Sequence, residues 1–236
     1  MSVTSPIYFS SISSTVSSET SGLYEYLTEL VSKRVSTIKY IRKAHEGNTH
    51  WFNTILLTKD SLSNMYPNSK MTRRSNQFYA LGLSLGATLD ISNPIDYVKA
   101  LNQIMTEFEK HTNDDSKQKM KNIFRKVKTK ENHGFPVEAD DYEYLSIPHI
   151  PFELDYLETF YTLIDVMAEA YYKLLIGTEG PNCTQTYFEL VLKCDTKFKK
   201  ITAMVTKELD VLARESIKNE LNIINPLFTK PIEFED

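Results

Sequence analysis

The sequence predicts an all-α protein, an antiparallel helical bundle with one very long C-terminal helix and a long, partly disordered connection. Three observations carry this. The run from Thr184 to about Asn222 places Val191, Cys194, Phe198, Ile201, Val205 and Leu212 at heptad spacing, broken at Glu208 and widened by Leu209. Apolar residues elsewhere recur at helical intervals, and no alternating run bounded by turn signals marks a strand. Only seven Gly and nine Pro punctuate 236 residues, too few for a many-turned β fold.

Residues 1–20 are rich in Ser and Thr. They lack the basic start and continuous apolar core of a secretory signal, and the Arg of a mitochondrial leader, so they read as a disordered tail. A single helical domain is expected over residues 21–225. Its first helix runs from near Ser21 to His45, with Leu23, Leu27, Leu30, Ile38 and Ile41 in one stripe widened by Val31 and Val35. Lys33, Arg34, Lys39, Arg42 and Lys43 are expected to face outward, and Gly47 with Asn48 stops the helix. Thr49 opens an apolar burst, Trp51, Phe52, Ile55, Leu56 and Leu57, which holds the only Trp and reads as a plug for the core. A short turn then ends at Tyr66–Pro67.

Helical spacing returns from Ser69 to about Asp90 through Met71, Phe78, Leu81 and Leu85. Gly82 and Gly86 lie four apart there, a spacing that lets another backbone approach closely. Asn93–Pro94 is an N-cap followed by Pro at the first helical position. The helix it opens carries Ile95, Val98, Leu101, Met105 and Phe108, and is expected to fade at His111. Residues 112–150 form the connection, basic at first, then interrupted by Gly134 and Pro136 and followed by an acidic cluster. Helix resumes from Phe152 to Ile176, and Gly177 with the Gly180–Pro181 turn folds it back along the last helix. Residues 226–236 read as a frayed tail.

A net charge of −4 with 25% charged residues excludes a generic nucleic-acid binder, and no specific nucleic-acid signal is present. No window of 18 apolar residues provides a membrane span. Cys183 and Cys194 stand eleven residues apart on or near one helix. At helical rise that is roughly 16 Å, too far for a disulfide, so a reduced cytoplasmic setting is expected. Richness in Ser, Asn, Lys and Ile gives the impression of a low-GC eukaryotic source.

Sites of chemistry are scarce. His45 and His50 are five apart rather than four, and Gly47 and Asn48 lie between them, so a helical zinc signature does not form. Glu107 and His111 are four apart, and no Glu-x-x-His of a di-iron bundle occurs. Asp165 and Glu169 share a helix face, where such a pair is ordinarily solvated or answers a cation on a neighbouring helix. Phosphate loops, nucleophile elbows and Cys–His dyads are absent from the sequence. No catalytic, cofactor-binding or metal-ligating residue is nominated.

The sharpest signal is the segment 116–130. Lys117, Lys119, Lys121, Arg125, Lys126, Lys128 and Lys130 appear there without one acid, while Met120, Ile123, Phe124 and Val127 follow helical spacing. Such a stripe on a cationic helix suits an acidic protein groove or an anionic membrane surface. The competing reading is a basic loop or surface helix docked on its own acidic neighbours Glu138, Asp140, Asp141 and Glu143. The sequence therefore leads to a non-enzymatic cytoplasmic adaptor or scaffold working through a protein partner. Its alternatives are a peripheral membrane protein using residues 116–130, and an enzyme or small-ligand carrier with a pocket in the bundle core.

Overall fold

The computed structural model describes residues 11–125 and 142–225, with side chains at 22–113 and 142–225 except 181. Those residues are mostly helical, with six α-helices and one two-stranded hairpin. Helix α1 spans Ser11–His45, β1 Thr49–Trp51, β2 Ile55–Leu57, α2 Lys59–Met65 and α3 Asn68–Thr88. Helix α4 spans Pro94–Arg125, α5 Tyr156–Lys173 and α6 Gln185–Ile224, with a 3-10 turn at Gly180–Asn182 before α6.

Local chemistry sets most of the boundaries. Gly47 (φ 80°) and Asn48 (φ 56°) take the left-handed conformation that closes α1. The Asn93 side chain accepts from the N–H groups of Ile95 and Asp96 at 2.9 and 3.1 Å and opens α4. Thr184 accepts from Tyr187 N–H at 3.2 Å and opens α6. Three boundaries differ from the sequence expectation. Helix α1 begins at Ser11, ahead of Ser21, and α4 continues beyond His111 to Arg125. Helix α5 starts at Tyr156, because Asp155 rather than Phe152 provides the cap, accepting from Glu158 N–H at 3.0 Å.

The hairpin is a further correction, since no strand was expected. Its strands are only three residues long, too short to show an alternating pattern, and tertiary contacts hold them. Tyr40 of α1 stacks on Trp51 at 5.2 Å and accepts the N–H of Phe52 at 2.7 Å. Trp51 and Leu57 are buried and plug the core, whereas Phe52 and Leu56 of the same burst are exposed, and the Trp51 indole N–H donates to Asp210 of α6 at 2.8 Å.

One core joins every α-helix. Helix α5 packs against α3 and α1, and α6 packs against α4 and α1. Direct packing of α5 along α6, expected from the short turn between them, gives way to this arrangement. The two meet chiefly through Tyr171, which reaches Asp195 and the Phe198 ring, and through the Tyr187 hydroxyl, which donates to Leu174 O at 2.8 Å. On α6 the expected seam is buried at Val191, Cys194, Phe198, Ile201, Val205, Leu209 and Leu212. Arg34, expected to face outward, instead forks onto Asp195 at 2.6 and 3.0 Å, tying α1 to α6. Cys183 and Cys194 are both buried free thiols.

Candidate functional site

The side chains of Lys117, Lys119, Met120, Lys121, Ile123, Phe124 and Arg125 lie outside the described ones, as do residues Lys126, Val127, Lys128 and Lys130 entirely. Only the α4 backbone reaches into the segment, as far as Arg125. His45 and His50 do not meet as a pair. His45 is buried, its Nδ1–H donating to Ile41 O at 2.8 Å, while its ring packs on Phe160 at 4.6 Å and Tyr66 at 5.6 Å. Burial disfavours the imidazolium and pushes its pKa down to about 4, against the weaker opposing pull of the Ile41 carbonyl. His50 is exposed on the hairpin. Among the described residues no three His, Cys, Asp or Glu groups converge as a metal site.

Asp165 and Glu169 are both exposed, and Asp165 answers Arg42 of α1 at 3.1 Å. The tyrosines of α5 do not converge with them. The Tyr161 hydroxyl donates to His45 O at 2.7 Å, that of Tyr171 to Asp195 at 2.9 Å, and that of Tyr172 accepts from Lys39 at 3.2 Å.

Glu107 has a different part from the one its spacing to His111 implied. Its buried carboxylate accepts the N–H groups of Glu143, Tyr144 and Leu145 at 3.1, 3.0 and 2.8 Å, and the Gln103 amide at 2.9 Å. Burial alone would raise its pKa, but the amide and the three backbone donors outweigh burial and hold it below the ordinary value. Glu107 thus clamps the far end of the long connection onto α4.

Two grooves flank α3, and Phe78 contributes to both. The first, about 470 Å³, lies between α3, α4 and α6. Met105, Phe108 and Ile201 form a buried floor, Met71 and Met204 form the walls, and five cations stand around it: Lys70, Arg73, Arg74, Lys197 and Lys200. Glu109 is the one carboxylate in the lining among the described residues, and Lys200 reaches it at 2.7 Å. Arg74 pairs with Glu208 at 2.8 Å. Lys197 donates to Asn102 O at 3.1 Å and to the Thr106 hydroxyl, and desolvation lowers its pKa.

The second groove, about 620 Å³, lies between α3 and α5, with Gly82 and Gly86 in its lining and Asp155 and Glu158 at its edge. Close approach was expected at both glycines. A Cβ at Gly82 would meet Leu163 at an ordinary 3.8 Å, and one at Gly86 would meet nothing within 4 Å. The α5 backbone thus comes close at Gly82, where Leu163 Cα stands 3.9 Å from the Cβ position, as expected, whereas Gly86 faces open space in the groove.

The final turns of α6 present a third surface. Ala213, Ile217, Leu221 and Ile224 lie on one helical face; Ala213 is buried, whereas the other three are 38%, 52% and 78% exposed. Ile223 beside them is 82% exposed.

Sequence reading missed the first groove because its cations come from separate helices. A usable signal was present: Lys70, Arg73 and Arg74 beside Met71, and Lys197 and Lys200 beside Ile201 and Met204, put one sign of charge along two apolar stripes. Compared with protein-family models, curated proteins and solved structures, the chain matches none. Among the described residues no helix is long and apolar enough to cross a membrane.

Proposed function

We propose that the chain is a non-enzymatic adaptor or scaffold, an antiparallel helical bundle acting in the cytoplasm through protein–protein contacts. The observation that carries this reading is the end of α6. The apolar stripe that packs into the core at Val205, Leu209 and Leu212 continues past Ala213 as Ile217, Leu221 and Ile224, uncovered among the described residues. Contiguous exposed apolar surface of this kind marks a contact site in soluble proteins. The free buried thiols at Cys183 and Cys194 support a reducing compartment. Affinity capture from the source cell, with wild type beside an Ile217→Asp, Leu221→Asp, Ile224→Asp variant, tests the reading. Proteins retained by wild type and lost from the variant are expected; identical capture by both would refute it.

The second reading is a peripheral protein that engages anionic lipid through residues 116–130. The α4 backbone stays helical to Arg125, which is the conformation that would gather Met120, Ile123 and Phe124 on one face. Each Lys or Arg near an anionic surface contributes about 1 kcal/mol. Binding to phosphatidylserine vesicles at low salt, abolished by Arg125→Glu, Lys126→Glu and Lys128→Glu together, is the expected result. Wild type that stays in solution at low salt removes this reading.

A further inference from the structure

We propose that the groove between α3, α4 and α6 binds a single-chain amphiphile with an anionic headgroup. The chain would lie on Phe78, Met105, Phe108 and Ile201, and the headgroup among Lys70, Lys197 and Lys200. Three features support this independently of the surface at the end of α6. The volume, about 470 Å³, falls within the range of small-molecule sites, and the floor is apolar. The walls are Met71 and Met204, flexible thioethers that adapt to chains of different shape.

Charge selects the headgroup. Among the described residues the cations of the lining outnumber its carboxylates: Glu109 is held by Lys200 at 2.7 Å, and Glu208, within reach, by Arg74 at 2.8 Å and by the Tyr66 hydroxyl at 3.3 Å. Lys70 has no ion pair among the described residues and is exposed at the rim. Lys197 uses two of its three N–H donors on Asn102 and Thr106 of α4, which leaves one for a ligand. The residue is half-buried, and desolvation disfavours its charge more than the nearby Glu109, shared with Lys200, supports it. An anion placed beside it relieves that penalty. A neutral chain would fill the floor and leave Lys70 without an ion pair among the described residues. The second groove makes the contrast, since its rim carries Asp155 and Glu158 in place of cations.

The test is calorimetric titration of the full chain with dodecyl phosphate below its micelle concentration, beside dodecyl maltoside and inorganic phosphate. Dodecyl phosphate should bind at least tenfold more tightly than either control. Lys70→Glu with Lys200→Glu should weaken it at least tenfold with only a small change in melting temperature, since both side chains are exposed and the Lys200–Glu109 pair lies at the surface. Methyl spectra of the methionines locate the ligand: Met71, Met105 and Met204 should shift, while Met65 and Met167, outside the groove, stay still. The proposal is overturned by absence of binding, by equal binding of the maltoside or of phosphate alone, or by an undiminished affinity in the charge-reversed variant. A polyglutamate peptide that binds more tightly than dodecyl phosphate would also overturn it, assigning the groove to an acidic protein segment. None of these outcomes bears on the capture experiment, so the two readings stand or fall separately.

Discussion

Helix α6 changes its surroundings along its length while its sequence pattern carries on. From Tyr187 to Ala213 its apolar face is buried against α4 and α1, and its polar neighbours are tied to other elements: Asp195 to Arg34 and Tyr171, Glu208 to Arg74 and Tyr66, Asp210 to Trp51. From Arg214 to Ile224 the same face emerges from the core, and Ile217, Leu221 and Ile224 are exposed. At about 1.5 Å per residue the helix is roughly 60 Å long. Periodicity therefore records where an apolar face lies. Whether something covers that face depends on the lengths and positions of other helices.

The sharpest way to break the comparison is to place a charge in each part. Val205→Asp buries an unpaired carboxylate in a fully covered seam and should cost about 3 kcal/mol or more, read from denaturant unfolding. A mutant that unfolds like wild type would mean the seam is not packed. Asp195→Ala should follow at about 2–3 kcal/mol, because it strands the part-buried Arg34 guanidinium and removes the acceptor of the Tyr171 hydroxyl. A double-mutant cycle with Arg34→Leu separates the pair from each residue's packing, and a coupling near zero would deny the tie between α1 and α6.

The buried level also responds to pH. His45 packs on Tyr66, whose hydroxyl donates to Glu208 of α6, and burial holds its pKa at about 4 against the ordinary 6.5. The unfolded chain takes up a proton at His45 below pH 6.5, whereas the folded chain resists until about pH 4, so stability falls as pH drops through that window. The loss reaches on the order of 2–3 kcal/mol by pH 4. Glu107, held below its ordinary value of 4.5, contributes stability that is complete above that value and is lost as the pH falls from there through its folded value. His45→Phe should remove the component between pH 6.5 and 4, and an unchanged pH profile would contradict the burial of this ring.

The smallest effect belongs to the emergent end. Ile224→Asp should change unfolding stability by less than about 0.5 kcal/mol, as surface substitutions do. The same change should reduce partner capture, the reverse of the profile expected at Val205. A large stability loss at Ile224 would show that the face is covered after all.

The sequence by itself determined the helical class, the C-terminus of α1, the starts of α4 and α6, and the face that α6 buries. These rest on interactions that span a turn or so: the Asn93 and Thr184 caps, the Gly47–Asn48 stop, and the three-to-four spacing of apolar side chains. Only the tertiary structure decided which helix lies beside which, and therefore the rest. The hairpin needs Tyr40 on a different element. The Arg34–Asp195 pair joins residues 161 positions apart, and the Glu107 clamp closes over 36 to 38. The cationic groove exists because α3, α4 and α6 bring their charges to one place, whereas of the two glycines on α3 only Gly82 meets α5 and Gly86 faces open space. Short-range hydrogen bonds and periodicity are properties of a segment, but desolvation and charge pairing depend on what the rest of the chain places around it.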